Sequence, residues 1–266
     1  MLLTIDVGNT ETKLGCFDDA ALKHTWRVTT ELRRTPDEYG VFFTQLFATS
    51  GVAVDVIDAV AIASVVPKLD PVLESACKRF FEAEPTFLKP QTQRLIPILT
   101  ESPSEVGADL VAAAIGGRER FGAPLIVVSF GTATVFMAIS SAGEYLGVAI
   151  APGITISLDA LIGRTAKLPQ IALEAPGKTI GRNTVEALQS GVVYGFAGQT
   201  EALVSRMRAE MQVNAKVVAT GGLAEIVAKQ TPVVDAIAPH LSLEGLRLFY
   251  QATHPGARGA TRRVVK

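Results

Sequence analysis

Two short segments, one near the N-terminus and one near the middle of the chain, share a pattern of an apolar strand that ends in a glycine-containing turn. They read Ile5-Asp6-Val7-Gly8-Asn9-Thr10 and Val128-Ser129-Phe130-Gly131-Thr132-Ala133. Further β-prone segments and then helix patterns follow each of them. This recurrence constrains the fold more than any other feature, because it predicts an α/β protein built from two copies of one unit.

The repeat also predicts where the chain divides. Three prolines, Pro90, Pro97 and Pro103, mark a candidate link between the copies. We therefore predict an N-terminal domain over residues 1–105, a C-terminal domain over 106–254 and a solvated basic tail over 255–266.

Composition and charge exclude several classes of function. The 266 residues carry 25 Lys and Arg against 26 Asp and Glu, so the chain as a whole is not an electrostatic nucleic-acid binder. No apolar run has the length of a membrane span. The first carboxylate, Asp6, comes without a preceding basic region, which argues against a secretory signal. We expect a cytoplasmic globular protein without nucleic-acid or membrane partners.

The first glycine turn carries candidate phosphate-binding groups. Backbone N–H groups around Gly8, Asn9 and Thr10 form a nest that can hold a phosphate, because no Cβ blocks the approach at the glycine. Asp6 can hold Mg²⁺ directly or through water, and Lys13 adds a positive charge. The alternative is an ordinary hairpin turn with a solvated lysine.

Two later glycine turns are candidates for the same ligand. Gly131 and Thr132 lie after the second apolar strand, and Gly221 and Gly222 lie between a strand and a helix pattern. Two facing phosphate loops would suit a nucleotide, and a helix N-terminus favours negative charge. Each of these turns alone is also compatible with a structural role.

Asp109 stands near the start of a predicted helix, just after Gly107. One interpretation is an acid in the first helical turn, which is a common placement. The other is a general base that accepts the proton of an attacking hydroxyl group during phosphoryl transfer. Spacing alone does not decide between them.

A long helix is predicted from Thr184 to Met211, with apolar residues at helical spacing. Gly191 and Gly195 lie four residues apart and would permit a close helix contact. Core packing and a dimer face are both compatible with this pattern.

Taken together, the motifs resemble the type III pantothenate kinases (CoaX type) of the acetate and sugar kinase/Hsp70/actin superfamily. The order and spacing of the set carry the resemblance, which spans most of the chain. The segments are residues 5–10 with Lys13-Leu14-Gly15, Ala63-Ser64-Val65-Val66-Pro67, Pro103-Ser104-Glu105-Val106-Gly107-Ala108-Asp109, Phe130-Gly131-Thr132-Ala133-Thr134, Ile150-Ala151-Pro152-Gly153-Ile154, Gly181-Arg182-Asn183-Thr184, Leu188-Gln189-Ser190-Gly191 and Thr220-Gly221-Gly222-Leu223-Ala224.

The resemblance implies two actin-like (ribonuclease H-like) domains with mixed five-stranded sheets, duplicated as β-β-β-α-β-α units, and a homodimer. It implies phosphorylation of pantothenate by ATP, the first step of coenzyme A synthesis, with Mg²⁺ and a monovalent cation (K⁺ or NH₄⁺). The implied ATP side comprises Asp6, Gly8, Asn9, Thr10, Lys13, Gly131, Thr132, Gly221 and Gly222. The implied pantothenate side comprises Gly107, Ala108, Asp109 as proton acceptor, Leu110, Thr184 and Thr100.

Four departures from the family pattern bear on the substrate and the cation. Ser129 replaces the family's cation-binding Asp, and Leu110 replaces an Arg that would pair with the substrate carboxylate. Thr100 replaces a common tyrosine, and Val135-Phe136-Met137 replaces Thr-Phe-Asp. Losing one charge-assisted contact would cost on the order of 1.5–3 kcal/mol of binding.

The departures leave three hypotheses open. The first is a pantothenate kinase, and the second is a catalytically weakened or inactive regulatory paralogue of the same fold. The third is a kinase for a related hydroxyl substrate without a carboxylate.

Overall fold

The computed structural model describes residues 1–256, which form two compact units. Unit 1 comprises Met1–Leu95, Ser102–Gly116 and the described part of Ser242–Lys266, and unit 2 comprises Ile96–Glu101 and Gly117–Leu241. Most of the predicted basic tail, residues 257–266, lies outside the described residues.

Unit 1 contains a mixed five-stranded sheet in the order β3-β2-β1-β4-β5. The strands β1, β2 and β3 form an antiparallel meander, whereas β4 and β5 run parallel to β1. The strand bounds are β1 Leu2–Val7, β2 Glu11–Asp18, β3 Ala21–Thr29, β4 Ala59–Ser64 and β5 Pro85–Phe87. The helices of this part of the chain are α1 Pro36–Thr49, α2 Asp70–Phe80 and α3 Ala108–Phe121, with short 3₁₀ turns at Val54–Val56 and Pro103–Glu105.

Local sequence fixes the start of α1. The Thr35 hydroxyl accepts a hydrogen bond from Glu38 N, and the Glu38 carboxylate accepts one from Thr35 N, which completes a capping box. Pro36 occupies the first helical position, where a missing N–H does no harm. Phe43 and Phe47 then lie on the buried face of the helix, in the same core cluster as Ile5 of β1.

Unit 2 contains a second mixed sheet in the order β10-β9-β6-β7-β8. Here β6, β7 and β8 form the antiparallel meander, and β9 and β10 run parallel to β6. The strand bounds are β6 Leu125–Phe130, β7 Ala133–Ile139, β8 Tyr145–Pro152, β9 Lys216–Thr220 and β10 Ala236–Ile237. The helices are α4 Ile154–Gly163, α5 Thr184–Met211 and α6 Ala224–Ala228.

The two sheets have the same topology. In each, the first strand pairs antiparallel with the second and parallel with the fourth, and the third and fifth strands lie at the two edges. The predicted α/β fold with two mixed five-stranded sheets is confirmed, and the internal duplication is visible in strand order and direction. The positions of the short edge strands β5 and β10 were not found in the sequence, because segments of two or three residues show no measurable alternation.

The last helix, α7 (Leu241–Thr253), belongs largely to unit 1. Its Leu243 side chain approaches Gly15 of β2 so closely that a Cβ there would lie 3.0 Å from Leu243 Cδ1. The compact units are therefore discontinuous in sequence, unlike the predicted consecutive segments 1–105 and 106–254. That division stays a prediction about the two sequence copies.

Two further findings concern the helices of the described chain. Among the helices of residues 1–256, none combines the length and the apolar composition that a membrane crossing requires. In α5, ideal Cβ atoms on Gly191 and Gly195 meet nothing within 4 Å. No other segment of residues 1–256 therefore makes the close contact with this face that the two glycines would permit.

Candidate active site

The turn between β1 and β2 is held by its own backbone and by the end of β3. Gly8 N donates a 3.0 Å hydrogen bond to Glu11 O, and Thr30 donates its hydroxyl to Gly8 O at 2.7 Å and its N–H to Thr10 O. A Cβ on Gly8 would lie 2.8 Å from Glu11 O, so a larger residue would open the turn. Asn9 and Thr10 at its tip are exposed. The predicted phosphate loop is thus a well-defined hairpin turn.

Asp6 and Lys13 face each other across this hairpin. They are paired in the β1–β2 register, and Lys13 Nζ lies 3.3 Å from Asp6 Oδ2. Asp6 is only 3% exposed, whereas Lys13 is partly buried. A buried carboxylate needs such a partner. The sequence suggested Lys13 for the phosphate, and the structure shows that it also neutralises Asp6.

Ser242 is a further residue at this site, and the sequence analysis did not find it. Its hydroxyl donates a 2.6 Å hydrogen bond to the same oxygen, Asp6 Oδ2. The residue stands at the start of α7, where the local sequence indicates only a helix. A contact across 236 residues leaves no signal in the pattern of either segment.

Asp109 lies in the first turn of α3, which is the placement expected for an acid at a helix N-terminus. Its Oδ1 accepts a 2.9 Å hydrogen bond from Leu110 N. Gly107 provides the space for this carboxylate, because a Cβ there would lie 2.4 Å from Asp109 Oδ1. Burial, together with the negative charge of Asp6, raises the pKa of Asp109 to about 6, although the Leu110 hydrogen bond and Lys13 oppose the shift.

Unit 1 thus brings together an acidic pair, a lysine and a serine. Asp6 and Lys13 are close enough to Asp109 to act on its pKa in opposite directions. A carboxylate whose pKa lies near neutrality is well suited to accept a proton at physiological pH. The arrangement can therefore bind an anion next to Lys13 and accept a proton at Asp109. Asp109 thus has the chemical properties that a general base needs.

The remaining substrate-side candidates are divided between the two units. In unit 1, Ala108 is buried, and Leu110 is partly buried with its N–H directed to Gly107 O as well as to Asp109. In unit 2, Thr184 is the exposed first residue of α5. Thr100 lies in a bend, and its Oγ1 is buried without a hydrogen-bond partner within residues 1–256. The roles of these residues toward a substrate stay predictions.

The turn between β6 and β7 is the counterpart of the first turn in strand register. Asp6 pairs with Lys13 and Ala63, and Ser129 in turn pairs with Val135 and Thr220. The charged pair of unit 1 is therefore replaced by a neutral pair in unit 2. Gly131 N donates to Ala133 O at 3.1 Å, and Gly131 and Thr132 are exposed.

Three glycine segments of unit 2 meet around this second turn. A Cβ on Gly153 would lie 2.2 Å from Thr132 O, and one on Gly221, whose φ is +95°, would lie 2.4 Å from Phe130 O. Both positions therefore require glycine. The structure brings Gly131, Thr132 and Gly221 together, and Gly222 is exposed beside them. The following helix α6 has only five residues, so its dipole offers less than the sequence suggested.

The donor set for a metal ion is sparse. Within residues 1–256, no group of three or more His, Cys, Asp or Glu side chains is arranged to hold a metal. Mg²⁺ commonly takes one or two carboxylates and completes its octahedron with phosphate oxygens and water. Asp6 fits that mode, because the hydrogen bonds that it accepts from Lys13 and Ser242 both fall on Oδ2 rather than on Oδ1.

Comparison with known proteins adds an independent observation. The family model for type III pantothenate kinase matches residues 2–206. The chain belongs to the type III pantothenate kinase family. A type III pantothenate kinase from Anaeromyxobacter sp. (strain K) is 48% identical over 251 residues, which cover 94% of this chain and 99% of that protein. The resemblance drawn from the motifs is confirmed.

Solved structures show the same fold at much lower identity. A candidate Baf family transcriptional activator from Campylobacter jejuni has a TM-score of 0.59 at 17% identity, over 94% of this chain and 98% of its own. A candidate 2-dehydro-3-deoxygalactonokinase from Sinorhizobium meliloti has a TM-score of 0.59 at 13% identity, over 98% and 99%. At these identities the likeness shows a shared fold and nothing about activity.

Proposed function

We propose that this chain is a pantothenate kinase, a transferase that moves the γ-phosphoryl group of ATP to pantothenate and yields 4′-phosphopantothenate for coenzyme A synthesis. Family membership supports the reaction class. The observation that carries the proposal for this chain is the placement of Asp6, Lys13 and Asp109 within one unit, with the pKa of Asp109 raised to about 6.

Asp109 is the proposed general base. As the 4′-hydroxyl oxygen of pantothenate attacks the γ-phosphorus, its O–H bond breaks and the proton moves to the Asp109 carboxylate. The bond between the γ-phosphorus and the bridging oxygen breaks at the same time, and ADP leaves with that electron pair. Leu110 N–H holds Oδ1 of the base in place.

The proposed ATP side uses the glycine turns. Backbone N–H groups of Asn9 and Thr10 and the Lys13 ammonium would bind phosphate oxygens. Gly8, whose own N–H donates to Glu11 O, would keep the turn in the shape that presents them. Mg²⁺ bound near Asp6 would supply charge compensation on the phosphates. Gly131, Thr132, Gly221 and Gly222 are proposed to contact the same nucleotide, and that the two turns face a shared groove stays a prediction.

The proposed pantothenate side comprises Gly107, Ala108, Asp109 and Leu110, with Thr184 and Thr100. The neutral side chain of Leu110 cannot form an ion pair with the substrate carboxylate. Pantothenate is the proposed substrate because a relative that is 48% identical over 94% of this chain is a type III pantothenate kinase.

The proposed site of the monovalent cation, K⁺ or NH₄⁺, is the β6–β7 turn at Ser129. Ser129 offers a neutral hydroxyl where the family pattern has a carboxylate, and its register neighbours Val135 and Thr220 bring no charge. Since ligand charge sets cation affinity, we propose weaker cation binding here than a carboxylate would give.

A homodimer is also proposed. The edge strand β8 exposes three apolar side chains in alternation on one face, namely Leu146, Val148 and Ile150, of which Ile150 is 67% exposed. The α5 face with Gly191 and Gly195 is open as well. Light scattering after gel filtration would test the proposal, and a monomer mass at micromolar concentration would contradict it.

A cytoplasmic location completes the proposal. Cys16 and Cys77 are both free and buried, which is compatible with a reducing compartment.

A coupled assay that measures ADP in the presence of ATP, Mg²⁺, K⁺ and pantothenate tests the function. We expect turnover that Asp109→Asn lowers by about 10²–10⁴-fold, the contribution typical of a general base. Calorimetry should show that the wild type and the Asp109→Asn variant both bind ATP. Turnover of the wild type no higher than that of the Asn variant would contradict the proposal.

A further inference from the structure

Ser242 is a buried polar residue that no proposed step uses directly. It is 8% exposed, and its partner Asp6 is 3% exposed, so water competes poorly for their 2.6 Å hydrogen bond. A hydrogen bond from a neutral hydroxyl to a carboxylate is among the stronger kinds in proteins.

Helix α7 holds Ser242 in place through two close contacts within unit 1. Leu243, the next residue, packs on Gly15 of β2. On the other side, Gly245 packs on the backbone of Ala112 in α3, where an ideal Cβ would lie 1.8 Å from the Ala112 oxygen. The helix therefore contacts the strand that carries Lys13 and the helix that carries Asp109.

Two side chains of the described residues donate to Asp6 Oδ2 at unequal distances. The Ser242 hydroxyl lies at 2.6 Å and the Lys13 ammonium at 3.3 Å. With the hydroxyl removed, Lys13 would be left as the side-chain donor to Oδ2 and could close onto it. The Asp6 carboxylate and the Lys13 ammonium would then form a tighter ion pair. The carboxylate would be less available to Mg²⁺, and the ammonium would be less available to phosphate.

We propose that Ser242 is a positioning residue for ATP binding: its hydroxyl holds Asp6 Oδ2, so that Asp6 Oδ1 and the Lys13 ammonium remain available to Mg²⁺ and the phosphates. The inference rests on the proposed function and adds to it a residue from the far end of the chain. It predicts an effect on the nucleotide side and none on the pantothenate side.

Ser242→Ala tests the role, with Thr4→Val as the matched control. Thr4 is fully buried on the same strand as Asp6 and donates one side-chain hydrogen bond, to Gly15 O at 3.2 Å. We expect Ser242→Ala to raise the Kd of ATP about tenfold, the size of effect typical of a residue that hydrogen-bonds a metal ligand. The Kd is measured by calorimetry with Mg²⁺ and without pantothenate. The KM of pantothenate should stay within twofold, and Thr4→Val should change neither value.

A second variant pair tests whether the effect passes through Asp6. In an Asp6→Asn background, Ser242→Ala should change the Kd of ATP by less than twofold. In the wild-type background, Ser242→Thr, which keeps the hydroxyl, should retain most of the wild-type affinity for ATP. An unchanged Kd in Ser242→Ala, an equal change in Thr4→Val, or the same tenfold change in the Asp6→Asn background would each overturn the role. A wild type that binds no ATP would instead overturn the proposed function, and the role of Ser242 with it.

Discussion

Lys13 Nζ lies 3.3 Å from Asp6 Oδ2, and these two opposite charges shift the pKa of Asp109 in opposite directions. Asp6 raises it and Lys13 lowers it, and the first of these effects is the larger. The pair is thus more than a structural ion pair, because its balance helps to set the protonation state of the proposed base.

The pH dependence of catalysis should report this balance. Since Asp109 must be ionised to accept a proton, we expect kcat/KM for pantothenate to fall as the pH drops through about 6. Asp6→Asn removes a charge that raises the pKa of Asp109, so the acidic limb of its profile should move to lower pH. A limb that moved to higher pH in that variant would contradict the assignment.

Asp109→Asn should stabilise the protein while it removes activity. The pKa of Asp109 is raised from 3.8 to about 6, so the ionised form is penalised in the folded state above pH 6. Allowing for partial exposure, the gain at pH 8 should be on the order of 2 kcal/mol in the free energy of unfolding. The advantage should shrink as the pH falls through 6 and vanish below about pH 4, where the folded and unfolded carboxyl groups are both protonated. Urea unfolding at pH 8 and at pH 4 measures it, and equal stabilities at pH 8 would refute it.

Leu110→Arg should improve recognition of the substrate carboxylate. An arginine at this position can form a bidentate ion pair, which corresponds to roughly a ten- to hundredfold lower KM for pantothenate. The amide analogue of pantothenate serves as the control, because it lacks the negative charge and should show no such gain. An equal change for both compounds would argue against carboxylate recognition at residue 110.

Ser129→Asp should increase the response to potassium. A carboxylate adds one negative charge to the position that pairs with Val135 and Thr220, and cation affinity rises with ligand charge. We expect half-maximal activity at several-fold lower K⁺ than in the wild type, measured by titration in Tris buffer. Ser129→Asn, a neutral variant of similar size to Asp, should respond to K⁺ as the wild type does.

Gly245→Ala should destabilise unit 1, because the added Cβ would meet the backbone oxygen of Ala112 at 1.8 Å. Backbone cannot rotate away as a side chain can, so α7 and α3 must separate, at a cost of about 1–3 kcal/mol. Gly163→Ala, at a helix position with nothing within 4 Å, is the matched control and should be neutral. Thermal denaturation of the two variants gives the comparison, and an unchanged melting temperature in Gly245→Ala would contradict the close contact.

The sequence predicted the elements whose signals are local. Helix α5 begins and ends where predicted, because Asn183 caps its first turn through Glu186 N and Gln212 adopts a left-handed conformation after its last. The β1–β2 and β6–β7 turns follow in the same way from their glycines. Asp109 was found as a candidate, but its raised pKa depends first on burial and then on the charge of Asp6, and both come from segments far from it in sequence.

Features that depend on distant segments could not be predicted. Ser242 has no pattern that points to Asp6. The return of α7 to the first sheet follows from packing between Leu243 and Gly15 of β2. The edge strands β5 and β10 exist because a neighbouring strand offers free backbone groups, and their own two or three residues carry no periodicity.

The placement of α7 has a consequence for biosynthesis. The first sheet is translated early, but the helix that covers the β1–β2 hairpin and carries the hydroxyl bound to Asp6 is made only after the whole of unit 2. During translation, Asp6 would therefore lack its Ser242 partner until residues 242–253 have emerged from the ribosome. The proposed nucleotide-binding arrangement would be complete only after that helix has been made.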